Sequence, residues 1–152
     1  MNPFVFGDTA ANALVVAHAL VGVVLAGASG HLGWLALARL RGKDVAGPRV
    51  VRHLVTIGCT LGLALLLGLL AYPHYRVHIR EGVLDREFPW ASKLFELKEH
   101  AGALASPLWV AAFGLERSSL ALKPAAWINL LLSLLVIFTL VAGLIVTAVR
   151  GA

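Results

Sequence analysis

Charged residues divide this chain into four long uncharged runs: Thr9 to Ala38 (30 residues), His53 to Tyr75 (23), His100 to Leu115 (16) and Pro124 to Val149 (26). A bilayer-spanning helix needs about 20 apolar residues, so three runs suffice as they stand. The third is short, and a full span ending near Leu115 has to reach back to about Glu96, carrying Glu96, Lys98, Glu99 and His100 at its far end. The pattern predicts an all-α integral membrane bundle of four transmembrane helices. These cover about residues 10–40, 48–72, 90–115 and 124–149, with an external loop at 73–89 and a single transmembrane domain over 1–152.

Local signals agree with these limits. Pro48 after Gly47 suits the first turn of the second helix, where a missing N–H costs nothing. Pro73 marks that helix's end, Pro89 and Trp90 open the third, and Pro124 opens the fourth. Pro107 should kink the third helix, because it frees a carbonyl one turn back. Trp34, Tyr72, Tyr75, Trp90 and Trp127 fall near span ends, at the level aromatic rings prefer. Gly58-x-x-x-Gly62 and Ala26-x-x-x-Gly30, with Gly22, Gly27 and Gly33 nearby, read as faces along which helices approach closely. The fourth helix is nearly uniform Leu, Val and Ile, a wall facing lipid or another subunit.

Composition sharpens this picture. With 59% hydrophobic residues, 14% charged and a mean hydropathy of +0.84, a water-soluble globule is excluded. The net charge of +5 sits in short segments between apolar runs, so nucleic acid is not an expected partner. Arg39, Arg41, Lys43, Arg49 and Arg52 against the single acid Asp44 make the first connection cytoplasmic by the positive-inside rule. Both termini and the 73–89 loop are then external, in a bacterial inner membrane. The first apolar run is too long for a signal peptide and is expected to stay as an anchor. Cys59 is the only cysteine, which excludes an internal disulfide and dithiol chemistry.

Chemistry has to come from the polar minority. His18, His31 and His100 lie within spans, where an ionisable group is costly enough to be a functional candidate. At about 1.5 Å per residue, His18 is roughly 31 Å from Arg39 and His100 roughly 24 Å from Glu116, both toward the external face. His74, His78, Glu96 and Glu99 gather on that side, and Glu96, Glu99 and His100 share one helix face. Two uses fit. His18 and His100 on facing helices could ligate a haem b iron, with small neighbours leaving room for the macrocycle. Alternatively, His18, His74, His78, Glu96, Glu99 and His100 would suit a non-haem iron, copper or zinc ion. His31 and His53 form a further pair of candidate cofactor ligands, but counting from the charged ends sets them about 10 Å apart in depth. The bland alternative is an ion-paired helix start for the carboxylates and solvated imidazoles in the loop.

The His-bearing first span, the basic connection and a third helix opening with Trp90-x-x-Lys93-Leu94 resemble small four-helix membrane proteins of the b-type cytochrome, CopD and HemJ kind. The long Tyr75–Pro89 loop and the Glu96–His100 cluster depart from that layout. The resemblance implies haem handling or quinone-linked electron transfer, with His18 and His100 as the ligand positions. No phosphate-cradling glycine loop, nucleophile elbow, H-E-x-x-H or CxxC occurs, so independent catalysis is not expected. Two functions follow as expectations: a cytochrome b-like redox carrier passing electrons to a partner or quinone, or an accessory subunit of a larger membrane complex. The partners expected are the lipid bilayer and other membrane subunits or copies of this chain.

Overall fold

The computed structural model describes residues 8–118 and 122–150, and every regular element among them is helical. Four long helices dominate: α1 (Asp8–Leu40), α2 (Gly47–Tyr75), α3 (Pro89–Ser118) and α4 (Leu122–Arg150). Segments 1–7, 119–121 and 151–152, on which the expected positions of the termini and of the last turn partly rest, lie outside the described residues.

α1 stops where its sequence requires. Gly42 adopts φ +80°, the Lys43 N–H reaches back to the Ala38 carbonyl at 3.0 Å, and the Gly42 N–H bonds Arg39 O at 3.0 Å. This Schellman arrangement satisfies the last carbonyls of the helix, and a side chain at position 42 would strain it. α2 starts at Gly47 with Pro48 in its first turn.

The 73–89 stretch departs from the expected loop. α2 runs through Pro73 to Tyr75, passes into a π-helical segment at Arg76–Leu84, and ends in a turn at Asp85–Glu87. The physical reason is visible in its pairing. Arg76–Glu81 (3.6 Å) and Arg80–Asp85 (3.7 Å) are both five residues apart, the step of i→i+5 hydrogen bonding. Ile79 and Leu84 are buried against Ala91 and Val146, with Tyr75, Phe88, Leu94 and Phe95 around them.

The helices form an up-down-up-down bundle. His18 reaches Ala64 and His31 reaches His53, Gly33 meets Ser133, and Glu116 meets Asn129, so each of these neighbouring pairs runs antiparallel. α2 buries Val50, Leu54, Ile57, Leu61 and Ala64 at alternating steps of four and three, the register of a packed seam. α3 answers with Ala101, Ala105 and Ala112, whose short side chains admit close approach. Three of the four long helices are apolar and long enough to cross a membrane: α1, α2 with its extension, and α4. α3 differs because Lys93, Glu96, Lys98 and Glu99 occupy its first three turns.

The expected GxxxG face resolves into something more specific. At Gly58 an added Cβ would fall 2.3 Å from Trp109 Cζ2, whereas at Gly62 it would meet nothing within 4 Å. Gly58 is therefore a seat for the Trp109 indole, whose Nε1 donates to Leu54 O at 2.6 Å. Gly58→Ala is expected to cost about 1–3 kcal/mol in detergent unfolding. Trp109→Leu should suppress most of that loss, because the obstructing ring is gone. Equal stability for wild type and Gly58→Ala would contradict the contact.

Candidate functional site

Polar side chains collect at three levels of the bundle. At the level nearer the π-helical end, His18 of α1 is half-buried, and its Nδ1 lies 2.9 Å from Ala64 O on α2. A carbonyl can only accept, so Nδ1 carries a proton, and in the neutral ring the lone pair is on Nε2. The ring packs beside Gly68, where a Cβ would lie 3.4 Å from His18 Cε1. Lys98 of α3 lies toward the same end of the bundle, its ammonium 5.3 Å from the Phe95 ring centre and against Gly143, where an added Cβ would come within 3.4 Å of Nζ.

His100 does not join this centre. Its side chain is exposed and its Nδ1 donates to Glu96 O, one turn back on its own helix, at 2.7 Å. Glu96 is held by Arg80 of the π-helical segment, and Ser92 donates to Asp85 Oδ1 at 2.5 Å. Buried His74 stacks on exposed His78 with ring centres 4.4 Å apart, and the His78 Nδ1 meets His74 O at 3.2 Å. Glu99 is exposed. These contacts tie the mixed-charge start of α3 to the π-helical segment through Arg80–Glu96 and Ser92–Asp85, as a cap over the bundle's end. Among the described residues, no group of three His, Cys, Asp or Glu side chains is placed to hold a metal ion. The six-residue ligand set drawn from spacing divides instead between this cap, the His74–His78 stack and the separate His18 centre.

The second level corrects the depth count for His31 and His53. Their ring centres are 4.5 Å apart, not separated by 10 Å of depth. Counting from the charged ends set His53 at the inner boundary, whereas α2 runs from Gly47 and His53 stands more than one turn inside it. Two rings this close leave no room for a haem plane between them. His31 is exposed and His53 half-buried, and on the same faces of their helices are exposed Gly27 and Thr56 and half-buried Gly30 and Thr60. An added Cβ at Gly27, Gly30 or Gly62 would meet nothing within 4 Å. The threonine hydroxyls fold back on α2, Thr60 Oγ1 to Thr56 O at 2.8 Å and Thr56 Oγ1 to Arg52 O at 3.2 Å.

The third level was not anticipated from sequence. Glu116 of α3 is wholly buried and its Oε1 accepts from Arg39 Nη1 of α1 at 2.5 Å and from Asn129 Nδ2 of α4 at 2.9 Å. Arg39 Nη2 also donates to Val45 O at 3.3 Å, and Ser133 Oγ donates to Asn129 O at 2.7 Å. Three helices meet at one carboxylate oxygen, and the same arginine reaches the basic connection through Val45 O. The available signal was an acid closing an apolar run opposite an arginine closing another. An open groove of about 530 Å³ lies elsewhere, lined by Ala10, Ala13, Leu14, Ala17 and Leu70, and is wholly apolar in its side chains.

Compared with known proteins, the chain matches no family model, no curated protein and no solved structure.

Proposed function

We propose that this chain is an accessory subunit of a larger membrane assembly, docked there through the α1–α2 face that carries His31 and His53. The observation that carries this reading is the composition of that face. Lipid tails offer imidazole, hydroxyl and bare glycine backbone nothing that they offer leucine, whereas helix–helix contacts in membranes favour small residues and side-chain hydrogen bonds. Gly27, Gly30 and His31 on α1 run beside His53, Thr56 and Thr60 on α2, joined at the 4.5 Å ring contact. The occupant this face suits is a transmembrane helix of another subunit. That helix would lie in the shallow track over the glycines and bring an acceptor or donor to the imidazoles. Elsewhere the exposed surface is of the lipid-facing kind, as with Leu131, Leu134, Ile137, Val141 and Leu144 along α4.

The test is association rather than activity. Extracted in mild detergent from its native membrane, the wild-type chain is expected to travel with a second membrane polypeptide. Gly30→Leu should release it as a monomer of unchanged thermal stability, because that position has open space. A wild-type chain that is monomeric, or assembled only with itself, would overturn the reading.

A second reading, haem holding, has His18 in its favour. With Nδ1 fixed on the Ala64 carbonyl, Nε2 is set as a ligand in the way second-shell hydrogen bonds set metal-bound histidines. Of the candidate ligands only His18 would be placed to hold such a group, since His100 is exposed on another part of α3 and the His31–His53 rings are too close. Haem, when bound, supplies a one-electron couple; this chain's part would be to hold it through His18 and bury its apolar surface. Oxidised and dithionite-reduced absorption spectra, with iron analysis on the same sample, separate the readings. The subunit reading expects no reduced α-band and no stoichiometric iron. A band of b-type haem that disappears in His18→Ala would establish the second reading.

A further inference from the structure

Two buried acceptors next to the Arg39–Glu116 pair have no donor: Glu116 Oε2 and Asn129 Oδ1. Their side chains are already joined by the 2.9 Å bond from Asn129 Nδ2 to Glu116 Oε1, and Asn129 is 1% exposed. The amide cannot be turned to cure this, because its oxygen would then face the carboxylate. Leaving two such atoms dry costs about 1–3 kcal/mol each, so a donor is called for.

The chemistry of the missing donor is constrained by charge. Arg39 from α1 already neutralises Glu116, and from α4 only the neutral Asn129 and Ser133 approach. Arg117, on α3 itself, is exposed and lies over the Phe113 ring, and Lys123 at the start of α4 is exposed. A metal ion would need further ligands, and among the described residues no three His, Cys, Asp or Glu side chains are placed to hold one. One proton serves both acceptors. Placed on Glu116 Oε2, it donates to Asn129 Oδ1, closing a cyclic acid–amide pair with the existing bond from Nδ2 to Oε1.

We propose that Glu116 and Asn129 form a buried proton-binding site at the basic-connection end of the bundle. The site exchanges an α1–α3 clasp, the Arg39–carboxylate pair, for an α3–α4 clasp, the acid–amide pair. On protonation one proton passes from water to Oε2, no covalent bond to carbon changes, and the net positive charge remains on Arg39. The guanidinium keeps its second contact, the Val45 carbonyl, facing the connection. This inference is independent of how the α1–α2 face is used.

Infrared difference spectra on acidification test it in the full-length protein in detergent. Wild type is expected to gain a carboxylic-acid carbonyl band that is absent from Glu116→Gln and shifts to higher frequency in Asn129→Leu, where the accepting amide is gone. Glu116→Gln leaves the Arg39 charge uncompensated but keeps an oxygen for it and supplies an N–H to Asn129 Oδ1, so its unfolding temperature should fall below wild type while Glu116→Ala falls clearly further. Absence of a band assignable to Glu116, as expected if a bound water fills the site, would overturn the proposal. So would a Glu116→Gln protein as unstable as Glu116→Ala.

Discussion

A charge that enters the bundle must find its counter-charge there, and the placement of Arg39 against Glu116 follows from that constraint. Removing a carboxylate from water is repaid only when the partner geometry is good and the remaining oxygens are satisfied. Here a wholly buried carboxylate meets a guanidinium that is 10% exposed. The arrangement fixes the azimuth of α1 relative to α3, and the Asn129 bond fixes α4 as well. With these three helices set, the close approach of Gly33 to Ser133 and the seating of Trp109 on Gly58 have little freedom left. Alanines along α3 then allow the seam of α2 to pack without side-chain obstruction.

Much of the fold was legible because hydrophobic length is a coarse and dependable signal. The runs ending at Arg39 and beginning near Pro48 and Pro124 give helix limits that differ from the structure by only a few residues. The 73–89 stretch was not legible, since Pro73 and a dense set of charges read as a loop. What overrides them is pairing between positions five apart together with burial of Ile79 and Leu84, neither of which a helical period of 3.6 can register. The charged opening of α3 was legible as a weak span, and it is the one long helix that is long enough but not apolar enough for a crossing.

The candidate chemistry was legible only in part, because depth along a helix says little about azimuth. His18 and His100 stand at similar expected depth, yet one reaches across to Ala64 of α2 and the other turns outward, bonded to its own helix. His31 and His53 were separated by a count that set His53 at the inner boundary, and the structure brings their rings into a tilted contact at 4.5 Å. Glu116 drew no attention because an acid at the end of an apolar run ordinarily reads as an interfacial boundary. Only the three-dimensional convergence of Arg39 and Asn129 makes it the most deeply buried charge in the described structure.

The dependence of the bundle on this clasp is measured most directly by a double-mutant cycle in detergent unfolding, using Arg39→Met, Glu116→Leu and the two together. Arg39→Met, which leaves a buried charge without its partner, should cost about 3–5 kcal/mol, and the double variant should recover most of that loss. Additive losses, or an Arg39→Met protein as stable as wild type, would contradict the account.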